Sequence, residues 1–200
     1  MLPFDVSRET MDRLEVYADL LKKWNPKINL VSKATLADLW TRHIVDSAQI
    51  YTLAPKNFTH WSDLGSGGGF PGLVCAIIAA ERNPTANFTL IESDARKSVF
   101  LRTVARETGI KVNVFTDRIE RAIPLNADIL SARALADLTM LLSFADLHLQ
   151  ESGIALFPKG VNWQKEVEEA RKAWFFEYEA ITSETESGSI ILRIGDISRV

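Results

Sequence analysis

From Asp63 to Gly72 the chain reads Asp63-Leu64-Gly65-Ser66-Gly67-Gly68-Gly69-Phe70-Pro71-Gly72. A β-prone run over 60–64 leads into this segment and a helical stretch over 71–82 leaves it. Glycine has no Cβ, so a turn of this composition lets the main chain approach a ligand where other residues would block it. The next β-prone run, 87–91, ends at Glu92, where a carboxylate can accept both hydroxyl protons of a ribose. A glycine floor beside an acidic strand end points to a nucleoside cofactor. The plain alternative is a tight turn with no ligand.

Two cofactor classes fit. Gly67, Gly69 and Gly72 satisfy G-x-G-x-x-G, with Glu92 at the distance expected of dinucleotide-binding enzymes, so an NAD(P)-dependent oxidoreductase is one reading. Three details favour S-adenosylmethionine: the acidic Asp63 ahead of the first glycine, a helical segment ahead of the first strand, and Pro71, which restricts the start of the helix. S-adenosylmethionine carries one nucleoside, an amino acid tail and no pyrophosphate. It needs glycines and a carboxylate more than an anion-binding helix start. An oxidoreductase would also need a substrate domain, for which about 55 residues before the turn leave little room.

The elements that must position these residues alternate. Strands are expected near 60–64, 87–91, 111–115, 128–131 and 154–157, with helices over 71–82, 94–108, 138–149 and 162–172 and a short helical turn near Ile119. That rhythm means parallel βαβ units. Runs 174–180 and 190–194, joined by a short polar turn over 182–188, are expected to close the sheet as an antiparallel pair. Ahead of the first strand, Met11, Leu14, Ala18 and Leu21 recur at helical spacing behind a Ser7 cap, and Pro26 is expected to end this helix near Trp24. A second helix is expected from Thr35, with Thr35 and Asp38 as a capping pair and Leu36, Leu39, Trp40, Ile44 and Ala48 as its apolar side. Asp46 is placed to pair with Arg42 one turn away. Cys75 and Met140 read as core residues, and the charged run from Lys165 to Lys172 as a solvated helix face.

Composition narrows the class. The chain has 200 residues, 46% hydrophobic and 24% charged, enough for one ordinary core. No apolar run reaches the roughly 20 residues that span a bilayer, and no secretory signal precedes the first helix, so no membrane partner and a cytoplasmic location are expected. A lone cysteine, Cys75, forms no intrachain disulfide and no thiolate metal cluster, and no metal is expected. A net charge of -3 argues against coating nucleic acid by bulk charge but permits a local basic patch.

Several stretches together resemble the glucose-inhibited division protein B family, over nearly the whole chain: Trp24 to Leu30, Arg42 to Ser47, Asp63 to Gly72, Lys97 to Leu101, Arg118-Ile119-Glu120, Ser131 to Ala134 and Lys159-Gly160. Members are bacterial methyltransferases that modify N7 of a guanine in small-subunit (16S) ribosomal RNA. The resemblance implies an α/β fold with a doubly wound, mostly parallel, seven-stranded Rossmann-like sheet, a helical extension over 1–55 and a methyltransferase domain over 56–200. It implies S-adenosyl-L-methionine as cofactor and 16S ribosomal RNA, or the small ribosomal subunit particle, as partner. Gly65 and Phe70 would touch the cofactor, Ile119 and Glu120 would lie beside the adenine, and Arg133 matches the family's arginine after the fourth strand. With Gly67, Gly69 and Glu92 these complete the expected cofactor set. Gly68 stands where alanine or proline is common in the family.

Guanine N7 carries a free lone pair at neutral pH, so its attack on a sulfonium methyl needs no general base, and His43, His60 and His148 form no His-carboxylate constellation. Acceleration should come from alignment in a site that excludes water. Arg133 and Lys159, both at strand ends, are the candidates for holding the guanine or its phosphate. Lys27, Lys33, Arg42 and His43 on one side, and Arg96, Lys97, Arg118 and Lys159 on the other, are the candidate RNA contacts. His43 is equally a packing histidine, and a non-catalytic RNA-binding protein is a further reading. A monomer is expected.

Overall fold

The computed structural model describes residues 2–200; Met1, the first residue of the expected extension, lies outside the described residues. The N-terminal segment forms α1 (Arg8–Ile28), α2 (Lys33–Leu36), a π-helical turn (Trp40–Val45) and α3 (Asp46–Thr52). There follow β1 (His60–Leu64), α4 (Gly72–Arg82), β2 (Asn87–Ile91), α5 (Ala95–Thr108), β3 (Asn113–Phe115), a 3-10 turn (Ile119–Arg121), β4 (Ala127–Ala132), α6 (Leu138–His148), β5 (Leu149–Lys159), α7 (Trp163–Ala170), β6 (Trp174–Thr182) and β7 (Ile190–Arg199).

The strands form one seven-stranded sheet in the order β3-β2-β1-β4-β5-β7-β6. Pairings among β1 to β5 are parallel, and β7 joins both β5 and β6 antiparallel. The doubly wound sheet and the closing hairpin are those expected. Helices cover both faces: α1, α3, α4 and α5 share one apolar core, while α6 and α7 pack over the β4–β5–β7 side in another. Leu14, Tyr17 and Leu21 of α1 are fully buried in the same core as Ile77 and Phe100, so the N-terminal helices complete the layer over one sheet face. No described helix is long and apolar enough to cross a membrane.

Local departures have local causes. Ser7 caps α1 as expected, accepting from Thr10 N at 3.1 Å, but the helix runs through Pro26 to Ile28. Asn29 adopts the left-handed conformation and donates its N–H to Asn25 O at 3.0 Å, while the buried Asn25 accepts from Val31 N at 2.8 Å. These bonds at the helix end outweigh the preference of a residue before proline for extended geometry. The expected second helix is three pieces. Ser32, not the Thr35 and Asp38 pair, is its cap, and Thr35 Oγ1 instead donates to Ser32 O at 3.1 Å. The π-turn then winds wider than an α-helix, and the expected Arg42–Asp46 pair does not form: Arg42 meets Glu186 at 2.7 Å and Asp46 meets Arg133 at 3.1 Å. Met140, expected in the core, is half exposed, whereas Cys75 is buried.

Strand β1 carries polar residues yet is buried, because its neighbour answers them. Trp61 Nε1 donates to Ser131 Oγ at 2.8 Å, and the Ser131 hydroxyl donates to Asp63 Oδ1 at 2.6 Å. Asp63 Oδ2 has no hydrogen-bond partner, and burial raises this carboxyl from its ordinary value of 3.8 to about 6. Between those two values the folded chain keeps a proton that the unfolded chain has released, so stability falls as pH rises through the window. In denaturant titrations from about pH 4 to 7, the wild type is therefore expected to lose stability relative to Asp63→Asn; parallel curves would contradict this account of Asp63.

Candidate functional site

Strand order reverses between β1 and β4, and in open α/β sheets the crevice at the carboxyl ends of such strands takes the ligand. A cavity of about 1020 Å³ opens there, lined by the turn after β1, Glu92 after β2, the 3-10 turn and the segment after β4. Its far wall comes from the N-terminal segment, the end of β5 and the β6–β7 turn.

The glycine turn fits close approach by a ligand, with its glycines divided in their tasks. Gly65, Gly67 and Gly69 all have positive φ, of 61°, 54° and 95°. A Cβ at Gly67 would meet nothing nearer than Gly65 O at 3.7 Å, so this main chain faces open space. At Gly65 an added Cβ would stand 2.5 Å from Leu135 Cδ1. The requirement for glycine there comes from the backbone conformation and from Leu135, itself a lining residue, and not from ligand space alone. Gly69 is not in the cavity wall: its Cβ would overlap Leu73 Cδ1 at 2.5 Å and the Tyr17 hydroxyl at 2.6 Å. Phe70 lines the cavity, stacked between Tyr17 (centroids 5.2 Å) and His43 (4.8 Å).

Glu92 is only 7% exposed and is held from both sides, accepting from Gly67 N at 2.8 Å and Asp94 N at 2.7 Å. One carboxylate thus locks the loop after β1 to the loop after β2, while its edge lines the cavity. Asp94 caps α5 through Arg96 N and Lys97 N, which fixes where Lys97 stands. Ile119 and Glu120 line the same end, and the buried His148 supports them by donating Nε2–H to Ile119 O at 3.0 Å.

At the other end Arg133 follows β4. Its Nη1 donates to Asp46 Oδ2 at 3.1 Å and Arg42 O at 3.2 Å, and its Nη2 donates to His43 Nδ1 at 2.8 Å. Its Cζ lies 5.0 Å from the Phe70 ring centre. His43 Nε2 stands 2.9 Å from Thr35 Oγ1. Burial, reinforced by the charges of Arg133 and Arg42, lowers the pKa of His43 to about 3, so the ring is neutral. Lys159 has a side chain only 7% exposed, and its Nζ donates to Glu166 Oε2 at 2.7 Å and Ala136 O at 3.1 Å. Glu166 also accepts from Leu138 N at 2.9 Å, so this pair pins α7 to the start of α6.

Of the expected RNA contacts, Arg42, His43, Lys97, Arg118 and Lys159 line the cavity. Lys27 and Lys33 lie exposed outside it, as does Arg96, which pairs with Asp94 at 3.0 Å. Residues that the sequence did not single out for the site are Tyr17, Thr35, Glu166 and Glu186. Tyr17 was open to notice: a tyrosine on the buried face of an amphipathic helix needs a partner for its hydroxyl, and here it donates to Gly68 O. Glu166 and Glu186 offered no local signal, since their partners come from other elements.

Comparison with known proteins agrees with this geometry. The family model described as rRNA small subunit methyltransferase G (GidB) matches residues 10–189. The ribosomal RNA small subunit methyltransferase G of Ruegeria pomeroyi is 59% identical over 98% of this chain and 96% of its own length. That of Rhodospirillum centenum is 49% identical over 98% and 88%. Among solved structures, ribosomal protein L11 methylase from Lactobacillus delbrueckii subsp. bulgaricus superposes with a TM-score of 0.61, covering 79% of this chain and 78% of that one at 16% identity. TYW2 of M. jannaschii in complex with AdoMet superposes with a TM-score of 0.56, covering 88% and 80% at 12% identity. The solved structures bear on the fold, the relatives on the family, and the chain belongs to the rRNA small subunit methyltransferase G (GidB) family.

Proposed function

We propose that this protein transfers the methyl group of S-adenosylmethionine to N7 of a guanine in small-subunit (16S) ribosomal RNA. The observation that carries the reading is the state of His43, the histidine lining the cavity. Its Nδ1 lone pair receives Arg133 and its other nitrogen meets Thr35, so it has no lone pair left with which to take a proton. An acceptor atom that brings its own lone pair, as guanine N7 does, needs no such base.

The bound donor supplies an electrophilic methyl group. The residues of this chain hold and align. Main chain at Gly65 and Gly67 forms the floor, Glu92 takes the ribose hydroxyls, and Ile119 and Glu120 flank the adenine. Phe70 and Arg133 face the opposite end. Lys97 and Arg118 on one side of the cavity, and Arg42, which also pairs with Glu186, on the other, are the cations that would meet RNA phosphates. Lys159 keeps one N–H beyond those given to Glu166 and Ala136, enough for one contact to the acceptor. We infer two cooperating parts, the helical segment 1–55 and the sheet domain 56–200, because both supply residues to the cavity wall. The oxidoreductase reading loses support from the relatives, since the family model matched and the relatives at 59% and 49% identity are all rRNA small subunit methyltransferases.

Purified protein, labelled methyl donor and small-subunit RNA lacking its natural methylation are expected to yield labelled RNA whose modified nucleoside maps by mass spectrometry to 7-methylguanosine. Label at another base or another atom overturns the reading. Glu92→Gln is expected to weaken donor binding by about tenfold or more, the loss of one charge-assisted hydrogen bond, and calorimetry with donor alone measures it. Lys159→Ala is expected to lower transfer and stability together. Removing one member of a largely buried pair leaves Glu166 without its cation, at a cost of about 1–3 kcal/mol, or a fall in Tm of roughly 3–10 °C. An unchanged melting curve would reduce Lys159 to an acceptor contact alone.

A further inference from the structure

The π-turn Trp40–Val45 and the first residue of α3 place two side chains of the N-terminal segment, His43 and Asp46, against Arg133 just after β4. Hydrogen-bond direction runs one way along the chain of contacts. Arginine only donates, so His43 Nδ1 accepts from Arg133 Nη2 at 2.8 Å and the ring proton sits on Nε2. That proton is given to Thr35 Oγ1 at 2.9 Å, whose own hydroxyl hydrogen goes to Ser32 O at 3.1 Å. Asp46 accepts from Arg133 with Oδ2 and from the Thr185 hydroxyl, at 2.6 Å, with Oδ1. The stack of His43 on Phe70, inclined at 26°, holds the imidazole plane.

Asp46 is the carboxylate in direct contact with Arg133 among the described residues; their side chains are 17% and 18% exposed. A neutral imidazole adds no counter-charge. What it adds is direction, since it accepts one Nη2 hydrogen and so sets the plane of the guanidinium. Of the five N–H donors of Arg133, the Asp46, Arg42 and His43 bonds use three, leaving Nε–H and one Nη2 hydrogen. Two such donors on a planar guanidinium suit bidentate recognition of a carboxylate.

We propose that His43 and Asp46 are positioning residues for Arg133, a clamp from the N-terminal segment that aims its two remaining N–H groups at the carboxylate of the amino acid tail of the methyl donor. This rests on the reading of the cavity as a site for S-adenosylmethionine. It makes the segment ahead of the sheet part of donor recognition as well as of RNA contact. His43 and Asp46 need not touch the donor; they act through Arg133.

Calorimetry with S-adenosylmethionine and no RNA tests the clamp on the full chain, beside 15N shifts of the His43 ring and thermal melting. Wild type is expected to bind donor and to show the Nε2–H tautomer before donor is added. His43→Gln, whose amide does not reproduce an acceptor at the Nδ1 position, is expected to bind about tenfold more weakly. His43→Asn, whose Oδ1 stands where Nδ1 stood, is expected to recover most of that loss. In the transfer reaction the His43→Gln defect should appear in KM for donor, with kcat at saturating donor little changed. Thr35→Val guards against a His43 variant that fails to fold. It removes only the acceptor of the Nε2 proton and is expected to cost roughly threefold in affinity with melting unchanged. Equal donor affinity in wild type and His43→Gln overturns the clamp, as does equal impairment of the Asn and Gln variants that tracks a lowered melting temperature. A wild-type chain that shows the tautomer but binds no donor overturns the reading of the cavity, and with it the ligand assigned to Arg133.

Discussion

The carboxylate of Glu92 joins two loops that sequence separates by 25 residues, accepting from Gly67 N at 2.8 Å and from Asp94 N at 2.7 Å. Glycines after β1 are free to adopt many conformations, and that freedom opposes folding. The bond to Glu92 selects one of them and leaves the acid at the cavity wall. Asp94, fixed by the same carboxylate, starts α5 by capping it, so the direction of that helix and the place of Lys97 descend from one interaction. The polar residues of β1 follow a similar economy. Ser131 on β4 accepts from Trp61 and donates to Asp63 Oδ1, which ties together the two strands that flank the reversal of order.

Opposite Glu92, the site is held by charge instead of main chain. Arg133 reaches from the sheet into the N-terminal segment, Arg42 reaches the β6–β7 turn through Glu186, and Asp46 meets the same turn through Thr185. The N-terminal helices, the centre of the sheet and its closing hairpin therefore meet around one cavity. The Arg133–Asp46 pair is mostly shielded from water, where the loss of one partner costs more than an exposed pair contributes. The Lys159–Glu166 pair does the same for α6 and α7.

This arrangement suits a reaction that asks for alignment more than for proton transfer. The ring that lines the cavity is neutral and has both nitrogens engaged, and the cations at the mouth stand at two rims instead of gathering behind a nucleophile. A large cavity whose polar lining is held by hydrogen bonds orients its ligands at little cost in reorganisation at the moment of reaction.

Much of this was legible along the chain. The alternation of β-prone and helical runs determined the parallel units, the short turn over 182–188 the closing antiparallel pair, and the run of glycines the turn after β1, because each of these depends on residues close in sequence. Element ends were less legible. Pro26 lies within α1, and the helix expected from Thr35 breaks into α2, a π-turn and α3, since contacts made by Asn25, Ser32 and the buried apolar side outweigh local preference. Partners were the least legible. Arg42 and Asp46 stand one turn apart and were open to pairing with each other, yet Glu186 and Arg133, 144 and 87 residues away, take them. Hydrophobic period and glycine content are properties of short stretches, so the sequence by itself determined the sheet, the turn and the acid beside it. Which charge meets which, that Lys159 is buried and that His43 is a bound acceptor and not a base were decided only when distant segments were packed together, because hydrogen bonds and ion pairs depend on separation in space and not along the chain.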